Sequence, residues 1–261
     1  MPRHNLFLRV EYLGTAYAGS QIQPNGITIQ ELLDKALSRL FAEKIKTVFS
    51  GRTDSGVHAL AQAVSALVPG QMPADRVRAA LNALLPPDIR VSAAAYQPLD
   101  FNPRYAARSR EYLYNIYCGA RAPLYLQRWV WPVSRPLDFG LMRKAARLFK
   151  GTHDFAAFCA AGSAARSKVR RVTVSELQRR RVALWPGAGQ TAEGVLLTYR
   201  IRADGFLYHQ VRNMAAALVA VGLRKMTLRD LQEVLRSRKR SNLKAPTAPA
   251  AGLVLSAVSY C

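Results

Sequence analysis

The sequence predicts an α+β protein made of two related halves. Three observations carry this. The chain has 261 residues, half of them apolar, ample for a sizeable core. Segments of period-two and period-3.6 patterning alternate along its length. The first six read strand, helix, strand, strand, helix, strand, the order of a ferredoxin-like unit. The second half alternates in the same manner, without a convincing sequence repeat. The expected architecture is two ferredoxin-like-related halves, 1–105 and 106–261. They are expected to share a mixed, mainly antiparallel sheet with helices on one face and a catalytic cleft between the halves.

In the first half, LFLRVEY (6–12) alternates apolar and polar residues and reads as a strand. Thr28 and Glu31 in TIQE form a capping box. Leu33, Leu37 and Leu40 beyond it lie on one apolar helical face. KIKTVFS (44–50) and ALAQAVSALVP (59–69) read as strands. PADRVRAALNALL (73–85) is a helix with proline in its first turn, and DIRVSAAAY (88–96) closes the unit as a strand.

In the second half, AARSREYLYNIYC predicts a long strand with Arg110, Tyr112, Tyr114 and Ile116 on one face. LDFGLMRKAARLFKG (137–151) reads as a helix ending at glycine. KVRRVTVSELQRRR and GVLLTYRIRAD follow as strands. FLYHQVRNMAAALVAVG (206–222) and TLRDLQEVLRS (227–237) read as helices, the latter started by Thr227 and Asp230. APTAPAAG (245–252) is a loop, and GLVLSAVSY (252–260) is a last strand.

Charge narrows the partner. Lys and Arg number 38 against 16 Asp and Glu, a formal net charge of +22. Such an excess favours a polyanion through counterion release, and arginine binds phosphate in a forked geometry. A genome that favours arginine accounts for part of it without any ligand. The basic residues concentrate in 101–110, 166–181 and 236–240, the last also suited to a helix C-terminus. The longest nearly pure apolar stretch, Ala215–Leu223, is too short to span a bilayer, and the first residues lack a secretory pattern. A soluble, cytoplasmic protein is expected. Cys118, Cys159 and Cys261 suggest neither a disulfide framework nor a zinc site, and no metal or cofactor is expected.

One short stretch concentrates unusual chemistry: GRTDSGVHA (51–59). Gly51 and Gly56 permit a sharp turn that aims Asp54 into a cleft, and Arg52 brings a cation near the carboxylate or near a phosphate. Burial alone would raise the pKa of such a carboxylate, so a cation is needed to keep it ionised. Taken by itself, Asp-Ser-Gly is equally an Asx-turn between strands. It also matches half of an aspartic protease site, which needs two such aspartates.

The nonapeptide resembles the signature of the TruA family of tRNA pseudouridine synthases, GRTD(A/S)GVHA. EYLGTAYAGSQIQ resembles that family's EYDGTxYxGWQxQ, and DFNPRYAARSREYLYNIYC its F(H/N)xR…A..R.YxY stretch. GFLYHQVRNM resembles its F(L/V)xxMVRN helix, and APAAGLVL its closing segment. These matches are collinear and span nearly the whole chain. Two positions depart from the pattern: Leu13 stands where the family has aspartate, and Ser20 where it has tryptophan.

The resemblance implies an isomerase that converts uridine to pseudouridine in the anticodon stem-loop of tRNA, at positions 38 to 40. It also implies a homodimer that grips one tRNA. Asp54 falls on the catalytic nucleophile. Tyr112 falls on the active-site tyrosine that packs against the base, and Arg212 on the basic residue paired with the aspartate. Arg52 falls on the arginine that displaces or holds the target nucleotide, and Leu253 on an apolar residue of the base pocket. The reaction cuts the C1′–N1 bond, rotates the uracil and rejoins it through C5. No net oxidation and no phosphate transfer occur, so no redox cofactor or metal is called for. Without the resemblance, Tyr112 reads as core and Arg212 as a solvated helix residue. His58 and His209 read as structural. A peptidase and a non-catalytic RNA-binding protein are the competing readings.

Overall fold

In the structure, a computed structural model, residues 2–119, 121–163, 165–183 and 191–260 are described. Among these residues, ten strands and five α-helices make an α+β protein. The chain forms two compact units: Met1–Arg108 with Val254–Cys261, and Ser109–Leu253.

The first unit is built on β1 (Arg3–Tyr12), in which Leu6, Leu8, Val10 and Tyr12 alternate inward and are buried. β2 (Thr47–Phe49), β3 (His58–Pro69) and β4 (Ile89–Gln97) complete the unit with the chain's final strand, β10 (Leu253–Ser259). β1 lies between β4 and β3, antiparallel to both. β2 and β10 pair with β3 as well, β2 antiparallel near its end and β10 parallel at its start, Val254 opposite His58. The order β4-β1-β3-β2 is the one that the strand and helix pattern of the first hundred residues predicts for a ferredoxin-like unit. A stretch from the far end of the chain thereby extends β3 beside the aspartate loop.

Helix α1 (Ile29–Phe41) starts where the Thr28 hydroxyl accepts the Glu31 N–H, and it buries Ile29, Leu33 and Leu37. Helix α2 (Ala74–Leu84) buries Val77 and Leu81. Asn82 on α2 donates to the Val91 carbonyl and accepts its N–H, at 3.0 and 2.8 Å. That fills both hydrogen bonds of a β4 residue at the bulge where its register with β1 shifts.

The second unit contains β5 (Ser109–Gly119), β6 (Trp131–Val133), α3 (Phe139–Arg147), β7 (Gly151–Asp154), β8 (Val169–Ala183), β9 (Thr191–Ala203), α4 (Gln210–Gly222) and α5 (Leu228–Ser237). The strands run β5-β9-β8-β7, all antiparallel, with β6 parallel to the end of β5. Tyr112, Tyr114 and Ile116 of β5, Tyr199 and Ile201 of β9 and Leu177 of β8 are buried. Helix α3 is tied to this face by the Ser175 hydroxyl, which donates to the Ala146 carbonyl at 2.6 Å.

Several boundaries differ from the sequence expectation, among them three with a local cause or consequence. The helix expected to reach Gly151 ends at Arg147, and Gly151, at φ +113°, opens β7 instead. The helix expected from Phe206 begins at Gln210, because His209 adopts φ +58° and breaks the helical path. The strand expected over 44–50 is reduced to Thr47–Phe49. Thr227 and Asp230 start their helix as expected, and they do so as a reciprocal capping box. Cys118 and Cys159 are free thiols, and Cys261 lies outside the described residues. No helix among the described residues is long and apolar enough to cross a membrane, and no group of three His, Cys, Asp or Glu there is suited to a metal.

Candidate active site

The aspartate loop joins β2 to β3. Its turn closes where the Val57 N–H donates to the Asp54 carbonyl at 3.1 Å. Asp54 is the first residue of that turn and Gly56 the third, at φ +78°, a conformation that a side chain disfavours. Asp54 is half-buried, whereas Arg52 and Ser55 on either side are exposed. The sequence therefore sets the carboxylate at the rim of the unit, with the Arg52 cation two residues away in the solvent.

The residues flanking Asp54 are held from beneath. Thr53 is buried, and its hydroxyl shares a 2.8 Å hydrogen bond with the Tyr12 hydroxyl. Gln62, fully buried on β3, donates to the Tyr12 hydroxyl at 3.3 Å and to the Gly51 carbonyl at 3.0 Å. Its amide oxygen accepts from the Ser50 hydroxyl at 2.8 Å. Burial pushes the Tyr12 phenol up to about 12, against the lowering effect of Thr53 and Gln62, so it stays a neutral hydrogen-bonding group. On the other flank the Ser55 hydroxyl donates to the Tyr17 carbonyl at 3.0 Å. His58, buried at the end of the loop, accepts the Gly14 N–H at 3.0 Å. Gly14 cannot carry a side chain here, since a Cβ would lie 2.0 Å from the Val57 carbonyl oxygen.

The other predicted site residues belong to the second unit. Tyr112 on β5 is 9% exposed, with its ring edge-on to Phe206 at 5.2 Å and 87°. Arg212, half-buried in the first turn of α4, donates through Nε to the Ala248 carbonyl at 2.7 Å. The loop that supplies this carbonyl is fixed from two sides. Tyr114 donates to the Pro249 carbonyl at 2.7 Å, and the Thr247 hydroxyl donates to the Asn213 side-chain oxygen at 2.8 Å. Burial raises the Tyr114 phenol far above its usual range, and the nearby Arg212 cation only partly opposes this. Leu253 is buried directly after Gly252, where a Cβ would lie 2.7 Å from the Asn115 carbonyl oxygen. Tyr114, Arg212 and the 247–253 segment are thus one neighbourhood, with Tyr112 two residues along the same strand face. Asp54 and Arg52 form the other, in the first unit.

Sequence reasoning did not pick out Thr53, Tyr12 and Gln62 under the aspartate, nor Asn213 under Arg212. For Gln62 a signal existed: a glutamine at an inward position of an otherwise apolar strand needs partners for its whole amide.

The first unit thus carries a half-buried carboxylate on a turn, and the second a buried tyrosine strand beside an anchored arginine. The comparisons with known proteins supply the class. The family model described as tRNA pseudouridine synthase matches residues 9–106 and 145–261. The chain belongs to this family of tRNA pseudouridine synthases. It is 38% identical over 256 residues to tRNA pseudouridine synthase A of Acetivibrio thermocellus, covering 98% of this chain and 99% of that protein. It is 38% identical over 257 residues to the protein of the same name in Moorella thermoacetica, covering 98% and 99%. With that of Halalkalibacterium halodurans it is 40% identical over 248 residues, covering 95% and 89%.

Proposed function

We propose that Asp54 is the nucleophile with which this enzyme isomerises uridine to pseudouridine in tRNA, at positions 38 to 40 of the anticodon stem-loop. The observation that carries the reading is the build of the aspartate loop. Asp54 opens a glycine turn, and both neighbours are hydrogen-bonded into the unit's framework, Thr53 through its hydroxyl and Ser55 through its own. A carboxylate presented in this way loses little freedom when substrate arrives, which favours attack or charge stabilisation at one atom. Family membership lends no support to a peptidase.

The chemistry asks little else of the protein. The C1′–N1 bond breaks and a C1′–C5 bond forms. C5 loses its proton, N1 gains one, and no electrons are transferred. Asp54 attacks as an anion or stabilises the positive charge developing at C1′. By the family resemblance, Arg212 falls on the basic residue paired with the aspartate. The Tyr112 ring gives the detached uracil a flat surface, and Leu253 an apolar one. Taking the nucleotide out of its stack costs a few kcal/mol, which Arg52 helps to offset. The coarser reading of a basic, RNA-handling surface rests on charge, whereas the homodimer and the cytoplasmic location rest on the family resemblance and the sequence.

The test is Asp54→Asn, assayed by tritium release from tRNA labelled at C5 of uridine. Loss of more than about 10³-fold in rate, with tRNA still bound, is expected. Release at the normal rate would overturn the assignment, and undiminished tRNA binding by an inert wild-type chain would point to a non-catalytic RNA-binding protein.

A further inference from the structure

Ser20 departs from the family pattern, and its surroundings give that departure a role. It is 1% exposed. Its hydroxyl oxygen accepts the backbone N–H of Thr53 at 2.8 Å, and its own N–H donates to the Thr53 carbonyl at 3.1 Å. Both hydrogen-bonding groups of the peptide residue preceding Asp54 therefore end on Ser20. The same residue is tied to the scaffold, because the Gln30 N–H in the first turn of α1 donates to the Ser20 carbonyl at 3.0 Å. Gly19, at φ +92°, brings the two segments together, and a Cβ there would lie 2.8 Å from the Thr53 carbonyl oxygen.

We infer that Ser20 is a positioning residue for catalysis, holding Asp54 in register through the Thr53 peptide; this rests on Asp54 as the nucleophile. A tryptophan, the residue of the family pattern, has an indole N–H that only donates and cannot accept the Thr53 N–H. Without the serine oxygen, the buried Thr53 N–H loses its acceptor, and Thr53 keeps the bonds to its carbonyl and hydroxyl, one tie fewer where Asp54 begins its turn. A shift of about 1 Å in a reacting group is enough to cost up to about 10²-fold in rate.

The experiment compares Ser20→Ala and Ser20→Cys with the wild type and with Asp54→Asn, well below their melting transitions. For each, kcat and KM for tRNA are measured by tritium release. The alanine variant is expected to lose about 10- to 50-fold in kcat while KM stays within about twofold. The cysteine variant, whose sulfur is a weak acceptor, is expected to fall between alanine and serine. A merely structural role would lower the melting temperature and leave kcat per folded molecule unchanged, which overturns the inference. A change confined to KM overturns it as well and assigns Ser20 to RNA contact. If the alanine variant does not fold, a cysteine variant with wild-type kcat is the overturning result. If Asp54→Asn stays active, the nucleophile reading fails instead, independently of Ser20.

Discussion

We propose that Tyr112 acts through its ring. It is 9% exposed on β5, with its ring edge against Phe206 at 5.2 Å, so its orientation is set by packing. Tyr112→Phe keeps that ring and its contact. It is expected to retain kcat within about tenfold, whereas Tyr112→Ala is expected to lose more than about 10²-fold and to destabilise the chain by about 3–5 kcal/mol. Single-turnover rates on tRNA separate the two, and equal, complete inactivation by both would show that the hydroxyl carries the step. At this scale the sequence singles out candidate residues but not what holds them. GRTDSGVHA marks Asp54 by its glycines, but Thr53 reaches Tyr12 and Ser20 across 41 and 33 positions, and no local pattern records such a bond.

At the scale of elements, β5 and β9 are clamped by charge as well as by their ladder. Glu111 stands opposite Arg202 in register and accepts hydrogen bonds from the Nε atoms of Arg200 and Arg202, both at 3.0 Å. Burial pushes its carboxyl up, but the two guanidiniums outweigh that and hold it below the usual carboxylate range. A depressed folded value means that stability is fully present above the unfolded value, about 4.3, and is lost as pH falls through the folded one. The arginine side chains are 34% and 37% exposed, so solvent screening keeps the contribution near about 1 kcal/mol. Glu111→Gln is therefore expected to cost about 1 kcal/mol at pH 7 and less at pH 3, as urea unfolding at the two pH values would record. An equal cost at both would refer the effect to packing. The strands and helices longer than about eight residues were legible from their periods. β6 and β7 were not, because three or four residues give no period and their pairing depends on a distant partner. The start of α4 was misread for a related reason: the apolar pattern runs through Phe206 and Leu207, while the break is a backbone choice at His209.

For the whole molecule the governing quantity is charge. The net +22 was plain in the sequence, and the folded chain leaves most of its concentrated arginines outside, Arg104, Arg171 and Arg179–Arg181 among them. Arg240 is an exception, with its guanidinium donating to the Asn213 side chain at 3.1 Å and one nitrogen buried. That distinction between a cation spent on the fold and one open to a phosphate is invisible in a count of basic residues. Exposed arginines that meet phosphates release counterions, so the affinity for tRNA falls steeply with salt. With about six phosphates neutralised, the Kd is expected to rise about 10³-fold between 50 and 200 mM monovalent salt. Equilibrium binding of unmodified tRNA to Asp54→Asn, which is expected to prevent turnover during the titration, measures this. A rise below about tenfold would mean that the basic surface does not hold the RNA. The charge would then serve solubility, and affinity would have to come from stacking and base contacts in the site.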